Sequence, residues 1–324
     1  GSVPVKRTAL GRYCREGATV VLGPDGRVVV YSGDDAQGEY IYKFVSAGRY
    51  DASNPAANRN LLDTGTLYAA QFRASGREGS REGEWKALVL GQNGLTPTNG
   101  FNSQEEILLN ARAAADRAGA TPMDRPEWVA VHPVTREVYV TCTNHDKRGD
   151  DDPVDAANPR PHNLHGQILR WREANADPAA TAFQWDLFLL AGDHADGRDG
   201  KGELIPSHLT GTIQGDIFSS PDGLAFDRAG RLWIETDFDD AAAQNQQMGC
   251  NQLLCADPVS RQVKRFLVGP RGCEITGITW TPDFRSMWIN VQHPGLHFPA
   301  SDGKTRPRST TVLITQNKGG VIGT

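Results

Sequence analysis

The sequence predicts an all-β chain folded as a β-propeller. Three observations carry this reading. A hairpin pattern of two apolar strands around a tight turn recurs four times in 324 residues. An acidic residue stands at the head of each copy, in register with its hairpin. Turn-formers are abundant, with 35 Gly and 19 Pro, and a single stretch reads as helix. The same strands would also suit a β-sandwich. The recurrence of the acid favours the propeller, where equivalent strands carry equivalent residues to one centre.

The four copies are "REGATVVLGPDGRVVVYSGDD" (Arg15 to Asp35), "DRPEWVAVHPVTREVYVTCTN" (Asp124 to Asn144), "SPDGLAFDRAGRLWIETD" (Ser220 to Asp237) and "CEITGITWTPDFRSMWINVQH" (Cys273 to His293). Alternation and β-branched residues mark the strands, and "GPDGR", "HPVTRE", "DRAGR" and "TPDFRS" mark the turns. Outer strands are expected at 40–45, 65–72, 166–173, 185–192, 252–257, 262–268 and 310–316. "SQEEILLNARAAADRAG" (103–119) predicts a helical insertion, opening on Ser103 with Glu106 at capping-box spacing and ending at Gly119. Polar, Pro-bearing stretches at about 146–165 and 192–216 read as long loops, with the second and the acidic run 150–152 solvated. The acids of the second do not follow calcium-loop spacing. One domain over 1–324 is expected.

Composition excludes several functions. Net charge is −5 with a pI near 5.9, so no basic face for nucleic acid is indicated. No apolar run of 18 residues exists to span a membrane. Gly1-Ser2 reads as a cloning remnant, and any export signal is expected outside the chain. The five cysteines Cys14, Cys142, Cys250, Cys255 and Cys273 form no C-x-x-C pair, which argues against zinc. They read mainly as small buried hydrophobes. In an oxidising compartment, Cys255–Cys273 or Cys250–Cys255 would be candidate disulfides.

The leading acids are Glu16, Glu127, Asp222 and Glu274. The trailing polar residues are Asp34 or Asp35, Asn144, Asp237, and Gln292 or His293. In a propeller these positions line the central channel. Two carboxylates about 6 Å apart at an effective dielectric near 20 repel by roughly 3 kcal/mol. Several such pairs would rival a whole domain's stability of roughly 5–15 kcal/mol. The ring must protonate, pair with a base or bind cations. All-oxygen ligands suit calcium, magnesium, manganese or ferric iron. Each acid alone could equally cap a turn or pair with a surface cation.

Arg125 precedes Glu127 in R-P-E. Pro126 biases it toward extended backbone, which would put Arg125 and Glu127 on one face. A guanidinium beside metal ligands can grip phosphate oxygens in bidentate fashion. It could also be no more than a salt bridge to Asp124 or Glu127.

At these residues the chain resembles the PhoX-type alkaline phosphatases. The likeness runs through "EGATVVLGPDGRVVVYSGDD", "YIYKFVSAGRY", "LLDTGTLYAAQF", "MDRPEWVAVHP", "DAANPRPHNLHGQILRWRE", "SSPDGLAFDRAGRLWIETD", "NQLLCADP" and "GCEITGITWTPDFRSMWINVQHPG". The resemblance implies a six-bladed propeller, a channel cluster of calcium and iron, hydrolysis of phosphate monoesters, and export to the periplasm or beyond. It implies metal ligation by Glu16, Asp35, Glu127, Asp222 and Glu274, with Arg125 on phosphate. Asp34, Asn144, Asp237 and His293 remain further channel candidates.

Two departures stand out. Arg15 replaces the family's His before the first acid. The chain also lacks the family's long N-terminal portion with its "C-E-E-N"-type ligands, for which Cys14 is a weak substitute. An incomplete ring is therefore expected, which would self-associate or pair with the missing portion. Two other functions fit the acid ring: a calcium-dependent propeller lactonase, and a non-catalytic truncated propeller. R-P-E favours phosphate, because a lactone carries no anion for a guanidinium to hold.

Overall fold

The computed structural model describes residues 3–74, 81–199, 201–295, 298–300 and 302–323. The four hairpins are the inner halves of four antiparallel blades. The first blade contains β1 (Thr19–Leu22), β2 (Arg27–Gly33), β4 (Ile41–Arg49), β5 (Gly65–Ala74) and β6 (Arg81–Ala87), with short β3 (Gln37–Glu39) beside it. After β7 (Met123–Asp124), the second contains β8 (Pro126–Val131), β9 (Val138–Cys142), β10 (Gln167–Glu173) and β11 (Ala182–Leu190). The third contains β12 (Gln214–Gly215), β13 (Pro221–Phe226), β14 (Leu232–Thr236), β15 (Gln252–Ala256) and β16 (Gln262–Val268). The fourth contains β17 (Glu274–Trp280), β18 (Ser286–Gln292) and β19 (Thr310–Thr315).

Blades pack face to face because each strand is apolar on both sides where a neighbour covers it. Val29, Tyr31, Val129, Val140 and Leu169 fill the space between the first two blades. Tyr139, Ile168, Leu224 and Ile234 fill the next, and Trp233, Leu253, Ile275 and Ile289 the last. Inner strand β8 lies beside β1 and β13, and β13 lies beside β17, so all four surround a common centre. Strand β6, absent from the sequence expectation, pairs with β11 (Phe183 against Gly83) and joins the first two blades into one nine-stranded sheet. That close approach requires glycine, since a Cβ at Gly83 would lie 2.0 Å from the Phe183 ring.

The helical insertion is broken in two, α1 (Gln104–Leu109) and α2 (Ala111–Ala118). Ser103 caps α1 and left-handed Gly119 ends α2, as the sequence predicts. The break falls at Asn110, whose φ of −116° and ψ of 47° leave the helix while its side-chain amide donates to the Glu106 carbonyl. The pair covers the outer face of the first blade, with Ile107, Ala111, Ala114 and Ala115 against Val28, Tyr42, Phe44 and Leu67.

The loop at about 146–165 carries buried polar residues, Arg148, Asn158, Arg160 and Asn163, while Asp150 and Asp151 in its acidic run are exposed. The 192–216 loop contains β12, which pairs in parallel with β16. All five cysteines are free thiols, so neither candidate disulfide is present. No helix among the described residues is long and apolar enough to cross a membrane.

Candidate metal centre

The side chains reach the centre through one backbone device used repeatedly. Pro126 pairs with Cys142 but Val129 with Val140, so one extra residue bulges out of β8 around Glu127. Pro221 pairs with Thr236 and Leu224 with Ile234, giving β13 the same bulge around Asp222. A bulge re-aims a side chain that strict alternation would send elsewhere. In β17 the extra residue comes later, between Thr276 and Thr279, and Glu274 stays in the ladder opposite Gln292.

Two residues before three of the acids the backbone is left-handed: Arg125 (φ 55°), Ser220 (φ 48°) and Gly272 (φ 71°). Glycine adopts this freely, whereas at Arg125 and Ser220 it costs about 1–2 kcal/mol each. The extended conformation expected at Arg125 is thus corrected. The carbonyl two residues before Glu127, Asp222 and Glu16 accepts from the far end of the same hairpin. Thr143 N–H donates to the Arg125 carbonyl (3.0 Å), Asp237 N–H to that of Ser220 (3.0 Å), and Asp35 N–H to that of Cys14 (2.7 Å). Leading acid and trailing residue are thereby held side by side.

Two groups result. Ligand-capable atoms of Glu16, Asp35 and Glu127 lie within 4.8 Å of one another, and so do those of Asp237, Glu274 and His293. Glu127 accepts from Thr143 Oγ1 (2.7 Å) and Arg125 Nη2 (3.1 Å), while Arg125 Nε donates to Asp35 Oδ1 (2.8 Å). Arg125 therefore bridges Asp35 and Glu127, and its salt bridges do not include Asp124. Glu274 Oε2 accepts from Gln292 Nε2 (2.6 Å) and contacts His293 Nε2 (3.1 Å).

The electrostatics are those of a site short of positive charge. Burial, then the Asp35 charge, raises Glu16. Burial lifts Glu127 to about 7, against a hydrogen bond to Asp222 and the Arg125 charge. Burial and then Glu127 push Asp222 well up, and its Oδ1 has no partner among the described residues. Burial raises Asp237, and burial followed by Asp237 raises Glu274. The two groups sense each other, since Asp237 acts on Glu16 and Glu16 on Glu274.

Sequence reasoning missed Glu235. It is fully buried on β14, no side chain donates to its carboxylate among the described residues, the Ile278 and Gly277 backbone N–H groups lie nearest, and burial lifts it to about 8. A buried Glu in "RLWIETD" leaves no sequence signal beyond one acid inside an apolar run. Thr143, which orients Glu127, was also missed.

Other expected residues fall outside the two groups. Asp34 is buried and held by Arg112 Nε (2.8 Å) and Nη2 (2.6 Å) and by the Cys14 N–H (3.0 Å), so it is a structural ion pair. Asn144 Oδ1 accepts from Gln37 at 3.5 Å. Cys14 is exposed. A Ser–His contact does exist, Ser219 Oγ to His165 Nδ1 at 2.9 Å, but both residues are buried away from solvent. The donor set of carboxylates, one imidazole and no thiol, with an orphaned buried oxygen on Asp222, fits hard cations well.

A model of the family described as alkaline phosphatase PhoX matches residues 1–295. PhoX from Pseudomonas fluorescens, solved in complex with vanadate, a transition-state analogue, is 47% identical at a TM-score of 0.91, covering 99% of this chain. The chain spans 56% of that protein's length. A protein of unknown function from Dyadobacter fermentans matches over 86% of this chain and 62% of its own, at 10% identity and a TM-score of 0.32, too low to carry any argument. No curated protein matches. With its propeller fold, its ring of acids and its R-P-E turn, the chain belongs to the PhoX alkaline phosphatase family.

Proposed function

We propose that this chain carries the phosphate-binding and metal-binding centre of a phosphate monoester hydrolase. The observation that carries the reading is the Arg125 guanidinium, a quarter exposed, wedged between Asp35 and Glu127 at a site otherwise made of acids. A relative at 47% identity takes vanadate, which mimics a phosphoryl group in transfer, and this supports the same chemistry here.

Glu16, Asp35, Glu127 and Asp222 would hold one set of cations and Asp237, Glu274 and His293 another, with calcium and iron the metals the family resemblance suggests. When bound, such cations polarise phosphoryl oxygens and neutralise charge developing on them. The chain's own residues supply the rest. Arg125 binds the equatorial oxygens and orients the ester for in-line attack. Thr143 orients Glu127. The left-handed turns at Arg125 and Ser220 preset the positions of the side chains, so that no ordering remains for the reaction.

Export to the periplasm fits the family and is proposed with it. So is association with a second copy, or with the further portion that the longer relative has. A calcium-dependent lactonase remains the second reading of the acid ring, and a non-catalytic propeller the third.

The test is to load the chain with calcium and iron, measure metal content by elemental analysis, and assay an aryl phosphate beside a lactone. Phosphate-ester turnover that is lost on chelation is expected. Lactone turnover alone, or no bound metal, would reject the reading.

A further inference from the structure

The segment before Arg125 is anchored by a buried polar network that the sequence gives no reason to expect. Asp124 and Arg148 are both fully buried. Arg148 Nε donates to Asp124 Oδ1 (2.7 Å), and its Nη2 donates to the Pro122 carbonyl (3.1 Å). The other Asp124 oxygen accepts from Asn163 Nδ2 (2.7 Å). Asn163 is itself oriented by Arg160 Nε on its Oδ1 (2.9 Å) and by Gln167 Oε1 on its amide (2.8 Å). Arg148, Arg160 and Asn163 all come from the 146–166 loop, so this loop grips the chain directly upstream of the left-handed residue.

A fully buried ion pair is weak as a source of stability, since desolvation of both charges offsets their attraction. Its use must lie in geometry. The adjacent residue holds a backbone conformation that arginine disfavours, with φ at 55°, and such a conformation persists only where its surroundings over-determine it. The Asp124 side is fixed by the network, and the Glu127 side is fixed by the bulge in β8. From the backbone between these anchors the Arg125 side chain runs to Asp35 and Glu127.

We propose that Asp124, Arg148 and Asn163 form a positioning element that holds Arg125 left-handed and so aims its guanidinium at the bound anion. The proposal deepens the reading of Arg125 as the phosphate grip and rests on it. The 146–166 loop then has a defined role: it sets the orientation of a residue that it does not itself carry to the site.

A double-mutant cycle on the metal-loaded full chain tests this, with inorganic phosphate as the probe in isothermal titration. Asp124→Asn is expected to weaken phosphate binding by about tenfold with metal content unchanged, since small misplacements of a binding group are costly. In an Arg125→Lys background the same substitution is expected to cost less than about twofold, because the two act as a unit. Arg148→Lys, which keeps the charge, is expected to fall between parent and Asp124→Asn. Should Asp124→Asn not fold, Asn163→Ala loosens the carboxylate without stranding the Arg148 charge and enters the same cycle. Equal losses in both backgrounds would mean general loosening and overturn the positioning role. Unchanged phosphate affinity in the parent background would overturn it too. If Arg125→Lys alone binds phosphate as tightly as the parent, the reading of Arg125 fails first, and that result is distinct from either.

Discussion

Glu235 lies against Gly223 so closely that a Cβ at Gly223 would stand 2.1 Å from its Oε2. The contact spans two adjacent strands of the third blade, and Gly223 belongs to the same bulge that presents Asp222. The absence of a side chain at 223 is therefore what lets a buried carboxylate sit against the strand that presents Asp222.

Gly223→Ala is accordingly expected to destabilise the chain by about 1–3 kcal/mol, the usual cost of overpacking. Glu235→Ala in the same chain should restore much of that loss, because it removes the atom in the way. Urea unfolding of both singles and the double measures this. Additive losses would show that the two residues are not in conflict.

Metal-free protein should lose stability as pH rises from about 5 to 8. Glu127 and Glu235 stand at about 7 and about 8 when folded, above the ordinary value of 4.5. Between those values the folded chain holds protons that the unfolded chain has released, so stability is full at low pH and declines as pH rises through the folded values. Saturating calcium should flatten the profile. Melting temperatures at half-unit pH steps, with and without metal, check the sign, and a rise toward pH 8 in the metal-free protein would contradict it.

Chelation should lower thermal stability and abolish any phosphatase activity together. Metal at 100–1,000 times its dissociation constant stabilises by about 3–4 kcal/mol. A melting temperature unmoved by exhaustive chelation would count against a shared metal centre.

Arg125→Lys should impair turnover of a simple aryl phosphate far more than folding. Lysine keeps the charge but lacks the planar fork that meets two oxygens at once. Equal turnover in parent and variant, at equal metal content, would remove Arg125 from the site.

Away from the centre, Glu173 is the acceptor on which the first two blades converge. Tyr31 Oη (2.8 Å), Trp85 Nε1 (3.1 Å), Trp171 Nε1 (3.2 Å) and Lys43 Nζ (3.3 Å) all donate to it. Glu173→Ala should cost about 3–5 kcal/mol, because it leaves a buried ammonium unpaired. Adding Lys43→Met should recover part of that loss in equilibrium unfolding. No recovery would locate the cost in the aromatic donors.

The sequence by itself determined most of the strands and the four hairpins that carry the leading acids. Alternation in "VVLGPDGRVVV" and its three relatives requires hairpins with two buried faces, and an acid repeated at the head of each predicts one charged centre. The 103–119 segment was legible as helix because Ser103 and Gly119 are local signals. What only the tertiary structure decided are matters of parity and long-range support. Asp34 and Asp35 are adjacent and lie just past the end of β2, where strand alternation no longer decides which of them faces the centre. Arg112, 78 residues away, captures Asp34 and leaves Asp35 to the centre. One extra residue in β8 and in β13 re-aims Glu127 and Asp222, and a bulge is a property of the pairing between two strands that neither strand's own sequence reveals. The left-handed turn at Arg125 goes against the local preference set by Pro126, and a preference worth only about 1–2 kcal/mol does not decide a backbone conformation against the rest of the fold. Local rules thus assigned the residues to strands, and contacts distant in sequence chose which of them meet.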